Sequence, residues 1–132
     1  MTVDSDRLRP LPLFADLSDA QRKRVAAWME ERTADAGERI VPEGAAGYEF
    51  YVIESGTVEI TREGALIRTL GPGDFFGEMA LVGSSARRAA SVVATSPLRA
   101  LVVHGLEFRE LETQLPDMAE RIRARMLARL AE

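Results

Sequence analysis

The chain has 132 residues, of which 46% are hydrophobic, enough for one folded domain with a real core. Seventeen Lys and Arg against 21 Asp and Glu leave a net charge of -4, which argues against a basic nucleic-acid-binding surface. With no cysteine and a single histidine, His104, the sequence excludes disulfides, thiolate metal sites, cysteine nucleophiles and multi-histidine metal centres.

The opening MTVDSDRLRPL lacks the apolar centre of a signal peptide. No apolar run approaches the about 18 residues that span a bilayer. The expectation is a soluble, cytoplasmic protein. Residues 1–16 read as irregular, with Pro10 and Pro12 breaking any helix. Ser18 and Gln21 have capping-box spacing before the stripe Val25, Trp28, Met29, which predicts an amphipathic helix over 18–32 with Trp28 in the core.

From Glu38 to His104 short apolar or alternating runs are separated by Gly- and Pro-containing turns. Arg39–Val41 is one run. Tyr48–Ile53 is apolar almost throughout, as expected of a strand buried on both faces. After Glu54-Ser55-Gly56, residues 57–61 alternate, with Val58 and Ile60 on one face. Glu63-Gly64 marks a tight turn, Leu66, Arg68 and Leu70 continue the alternation, and Gly71-Pro72-Gly73-Asp74 is a strong turn. Ala90–Thr95 and Leu98–Val103 read as a last strand pair around Ser96-Pro97. Such closely spaced strands predict a mainly β protein, a sandwich or barrel, and not a parallel βαβ sheet.

Residues 105–114 predict a short helix interrupted at Pro116. Beyond it, Met118, Ile122, Met126 and Leu130 recur at helical spacing among Arg121, Arg123, Arg125 and Arg129. The simplest reading is a helix packed back on the strands with a solvated basic face.

The chemically informative stretch is GPGDFFGEMALVGSSARRAASVVA, residues 71–94. Gly77 allows a ligand close to the backbone, and the first N–H groups of a short helix over Met79–Val82 form an anion site. Arg87 and Arg88 follow, and a guanidinium fork suits phosphate oxygens. Glu78 does not suit phosphate but accepts a hydroxyl proton. A phosphate beside a sugar hydroxyl satisfies both groups. Spacing alone leaves a plainer reading standing, in which these are turn glycines and surface arginines. The dinucleotide pattern G-x-G-x-x-G is absent.

GDFFGEMAL followed by RRAASVVA resembles the phosphate-binding cassette of the cyclic-nucleotide-binding domain family, which includes the catabolite activator protein and protein kinase A regulatory subunits. PLFADLSDAQ is similar to that family's opening helix, and YEFYVIESGTVEI to its paired strands around a fixed glycine, here Gly56. The resemblance implies an antiparallel β-roll, jelly-roll-like, with an N-terminal helix and C-terminal helices. It divides the single domain into an N-terminal helical segment over 1–34, a roll over 35–104 with its cassette at 73–91, and hinge and lid helices over 105–132.

By resemblance, Gly77 and the amides of Met79 and Ala80 hold the cyclic phosphate, Glu78 takes the ribose 2′-hydroxyl, and an arginine pairs with the phosphate. Loop length favours Arg87. Strand register against Ala90-Ser91-Val92 favours Arg88, and register is the less forgiving constraint. Ala89 stands where many members carry a hydroxyl, which tilts the expected ligand to cAMP ahead of cGMP. Met118, Arg121 and Ile122 are candidates for the lid contact, beside the plainer role of packing.

The implied function is a non-enzymatic sensing module that regulates an effector protein through closure of its C-terminal helix. No metal, other cofactor or direct nucleic-acid contact is expected. The chain ends within or just after the C-terminal helix without an attached DNA-binding or effector region, which leaves two readings open, a free-standing module or a piece of something longer; Met1 is consistent with a natural start. A second reading is an interaction or dimerisation protein that keeps the fold without using the pocket, pairing through the C-terminal helix. An enzyme is disfavoured, because no G-x-S-x-G elbow is present.

Overall fold

The structure, a computed structural model, describes residues 3–41, 49–77 and 91–130. Two short 3₁₀ turns, Ser5–Leu8 and Pro12–Phe14, precede helix α1 (Asp19–Ala26). Among the described residues eight strands follow: β1 (Glu30–Ala34), β2 (Arg39–Val41), β3 (Glu49–Ser55), β4 (Val58–Arg62), β5 (Ala65–Leu70), β6 (Phe75–Phe76), β7 (Ser91–Ala94) and β8 (Leu98–His104). Helices α2 (Gly105–Gln114) and α3 (Pro116–Leu130) complete the chain order.

The strands form two antiparallel four-stranded sheets, ordered β1-β8-β3-β6 and β2-β7-β4-β5. This is the expected β-roll. Among the described residues no ladder joins the two sheets into a closed barrel.

Alternation along the central strands builds two cores. Tyr51 and Ile53 of β3, Ala100 and Val102 of β8 and Phe76 of β6 face the second sheet, where they meet Ile40, Val58, Leu70, Val92 and Ala94. Phe50, Val52, Phe75, Leu101 and Val103 point the other way, under the helices, against Leu8, Phe14, Val25, Phe108, Ala119 and Ile122. β3 is thus buried on both faces, as its unbroken apolar run requires. Trp28 is half-buried and packs against the helical core.

The capping box forms as predicted: Ser18 Oγ accepts from the Gln21 N–H, and Gln21 Oε1 accepts from the Ser18 N–H. The helix is shorter than predicted, however. It ends at Ala26, and Glu30–Ala34 become β1, paired with β8 from Glu30↔Val102 to Ala34↔Leu98. A ladder to a strand late in the chain outweighs the local helical period. Charged Glu30, Glu31 and Arg32 suit an outer strand open to solvent on one side. The first 3₁₀ turn is tied to this sheet by Arg7, which donates to Glu54 at 2.6 and 2.8 Å and to Glu31 at 3.3 Å.

A second difference concerns the corners. β3 and β4 lie in different sheets, as do β7 and β8, so neither Gly56 nor Ser96-Pro97 closes a hairpin. Each corner instead carries the chain from one sheet to the other, and the two pack together. Gly56 has φ +93, and a Cβ there would lie 2.3 Å from the Pro97 carbonyl oxygen. Thr57 N–H donates to Ser96 Oγ at 3.0 Å, and Thr95 N–H to the Thr57 carbonyl at 2.9 Å. The true hairpin joins β4 to β5 through Glu63-Gly64, both at positive φ (51 and 82), as a two-residue primed turn needs.

Candidate cyclic-phosphate site

The cassette segment leaves the first sheet at Gly77, after β6, and rejoins the second sheet at Ser91, in β7. Its approach is rigidly built. Asp74 Oδ2 accepts from the Gly71 N–H at 2.9 Å, and the Asp74 N–H donates back to the Gly71 carbonyl at 3.0 Å. Gly73 N–H donates to the Ile53 carbonyl, and Ile53 N–H to the Asp74 carbonyl, each at 2.8 Å. These bonds fasten the turn to the end of β3.

Phe75 and Phe76 then enter opposite cores. Phe75 tilts against Phe50 with ring centroids 5.5 Å apart, and Phe76 stacks on Tyr51 at 4.7 Å. Gly77 follows at φ +82, a conformation that favours glycine. On the far side Ser91 is buried and pairs with Thr61, and Val92 and Ala94 anchor β7 in the core between the sheets. Both ends of the cassette are therefore fixed by packing.

Of the residues that sequence reasoning assigns to the ligand, Gly77 is placed by the structure at this rim. Glu78, Met79, Ala80, Arg88 and Ala89, with Arg87, lie outside the described residues. Among the lid candidates, Ile122 is 2% exposed and sits in the core beneath the helices, while Arg121 is exposed. The backbone of Met118 lies in α3, and its side chain is outside the described residues.

The basic side chains of α3 are partly neutralised within the fold. Arg123 pairs with Glu112 at 2.7 Å and lies over the Phe108 ring at 5.8 Å, which binds α3 to α2. Arg125 meets Asp16 across the molecule. Hydrogen bonds from Arg125 hold the Asp16 carboxyl below the usual carboxylate range, and Asp16 in turn pushes the Arg125 guanidinium up. Sequence reading missed the Asp16 contact, because nothing local relates positions 109 residues apart.

A groove of about 410 Å³ between α1 and the α2–α3 junction is lined by Ala20, Arg24, Leu115 and Asp117. It lies in the helical layer. Among the described residues no cluster of His, Asp or Glu is arranged to hold a metal, and no helix is long and apolar enough to cross a membrane.

Residues 31–114 match the family model for the cyclic nucleotide-binding domain. The cAMP-dependent protein kinase regulatory subunit of Yarrowia lipolytica is 38% identical over 99 residues, covering 75% of this chain and 26% of that protein. A cGMP-dependent protein kinase of Drosophila melanogaster, isozyme 2 forms cD5/T2, is 34% identical over 124 residues, covering 89% of this chain and 13% of that protein. The crystal structure of the Thermus thermophilus catabolite activator protein superposes with a TM-score of 0.78 at 30% identity, covering 91% of this chain and 58% of that one.

The chain belongs to the cyclic nucleotide-binding domain family. It spans about a quarter or less of the length of these curated relatives.

Proposed function

We propose that this chain is a cyclic-nucleotide sensor, with cAMP ahead of cGMP, that regulates an effector protein through its C-terminal helix. The observation that carries the reading is Gly77, held at positive φ between two anchored strands, immediately before Glu78 and eleven residues before Arg88. In this reading Gly77 and the amides of Met79 and Ala80 bind the cyclic phosphate, Arg88 pairs with it, and Glu78 accepts from the ribose 2′-hydroxyl. Ala89 offers no hydroxyl to a guanine amino group, which supports cAMP.

Closure then follows from differential affinity. A ligand that touches α3 only when the helix lies over the cassette shifts the population toward that position. Met118, Arg121 and Ile122 are the side chains such a movement delivers, and Ile122 must leave its present core to take part. The whole chain acts as one regulatory domain in this reading, cytoplasmic and non-enzymatic. The dimerisation reading has one observation in its favour, the exposure of Leu127 (54%) on α3.

The test is a pair of substitutions. Losing one partner of a buried charged pair costs about 2–5 kcal/mol, whereas a rim charge costs little. Arg88→Ala should nearly abolish cAMP binding, and Arg87→Ala should leave it close to unchanged. The reverse result would give the phosphate to Arg87 and overturn the strand-register assignment.

A further inference from the structure

The contact between Arg125 and Asp16 joins α3 to the turn that follows the second 3₁₀ turn. Arg125 Nε donates to Asp16 Oδ2 at 2.8 Å, and an Nη group donates to Oδ1 at 3.0 Å. Two parallel bonds of this kind fix orientation as well as charge. The other ion pairs of α3 among the described residues, from Arg123 to Glu112 and Glu120, run to α2 or within α3 itself. The Asp16 pair is therefore the one among them that opens if α3 swings off the N-terminal segment while keeping its hold on α2.

That segment also reaches the cassette. Pro12, in the same 3₁₀ turn, lies so close to Gly73 that a Cβ there would be 3.2 Å from the proline ring. The turn thus touches the approach to the proposed phosphate site on one side and is followed by the α3 ion pair on the other.

We infer that Asp16 and Arg125 form a latch that holds α3 on the N-terminal segment and thereby lowers the protein's affinity for cyclic nucleotide. The inference rests on the reading that α3 closes over a bound cyclic nucleotide. The latch is intact in one position of the helix and broken in the other, so it weights the equilibrium against the ligand-closed state by its own net strength. Arg121 contributes to the same field at Asp16, which makes Asp16 the sharper position to change.

The experiment measures cAMP affinity of the full chain and its variants at low salt. Both side chains are exposed, so D16N and R125Q should fold normally. Each should bind cAMP about two- to fivefold more tightly than the unmodified chain, the range expected of an exposed but well-oriented pair. The swap D16R/R125D should return affinity toward that of the unmodified chain. The gap between the unmodified chain and D16N should close in about 1 M salt, where screening acts within about 3 Å. Hydrogen exchange on the ligand-free proteins should show faster exchange across residues 116–130 in D16N. If the unmodified chain binds cAMP and the single variants bind no more tightly, the latch is overturned and the sensing function stands. If the unmodified chain binds neither cAMP nor cGMP, both fall.

Discussion

Strand β3 sends Phe50 and Val52 into the core beneath the helices and Tyr51 and Ile53 into the core between the sheets, all at no more than 2% exposure. Helix α3 has more than twice as many residues, yet its described side chains that are fully buried are Ala119 and Ile122. Its remaining described anchors are the half-buried pair of Arg123 with Glu112 and the exposed pair of Arg125 with Asp16. The strand cannot move without emptying both cores. Counted over its described side chains, the helix leaves at the cost of two buried residues, Ala119 and Ile122, and of partly exposed pairs, each of which is worth little. A regulatory helix needs that inequality, because elements that move are drawn from the weakly held part of a fold.

The largest expected effect tests the strand. Ile53→Ala opens a cavity in the core between the sheets and should destabilise the whole protein by about 2–5 kcal/mol. Denaturant unfolding should show one cooperative transition moved to a lower midpoint. If only part of the signal shifted, β3 would not be common to both cores in the energetic sense.

Ile122→Ala tests the helix. It removes a comparable apolar side chain, but from the element that opens by itself in the proposed reading. Its unfolding midpoint should fall less than that of Ile53→Ala, while amide exchange across 116–130 accelerates strongly. A midpoint loss equal to that of Ile53→Ala, with no selective exchange in α3, would make the helix as firmly built in as the strand.

These differences also mark what the sequence could disclose. Local chemistry was readable: the Ser18–Gln21 capping box, the tight turn at Glu63-Gly64 and the double burial of Phe50–Ile53 follow from residue type and spacing alone. Pairing over long separations was not. Helical periodicity past Ala26 gave no hint that Glu30–Ala34 would find β8, and the turn residues at Gly56 and Ser96-Pro97 look the same whether a chain reverses within a sheet or crosses to another. Within the site, Gly77 was legible as a glycine before a carboxylate and an arginine pair. Its rigid setting was not, because it depends on Phe75 and Phe76 entering two separate cores and on Asp74 closing the turn at Gly71. The stripe of α3 predicted a buried face correctly at Ile122. Ala119 and the partner of Arg125 were invisible without the fold.

The most direct test is calorimetric titration of the purified chain with cAMP and, separately, with cGMP. Saturable binding of one nucleotide per chain is expected, tighter for cAMP, with a melting temperature that rises as ligand concentration passes the dissociation constant. No heat of binding and no melting shift with either nucleotide at millimolar concentration would contradict the assignment of this chain as a cyclic-nucleotide sensor.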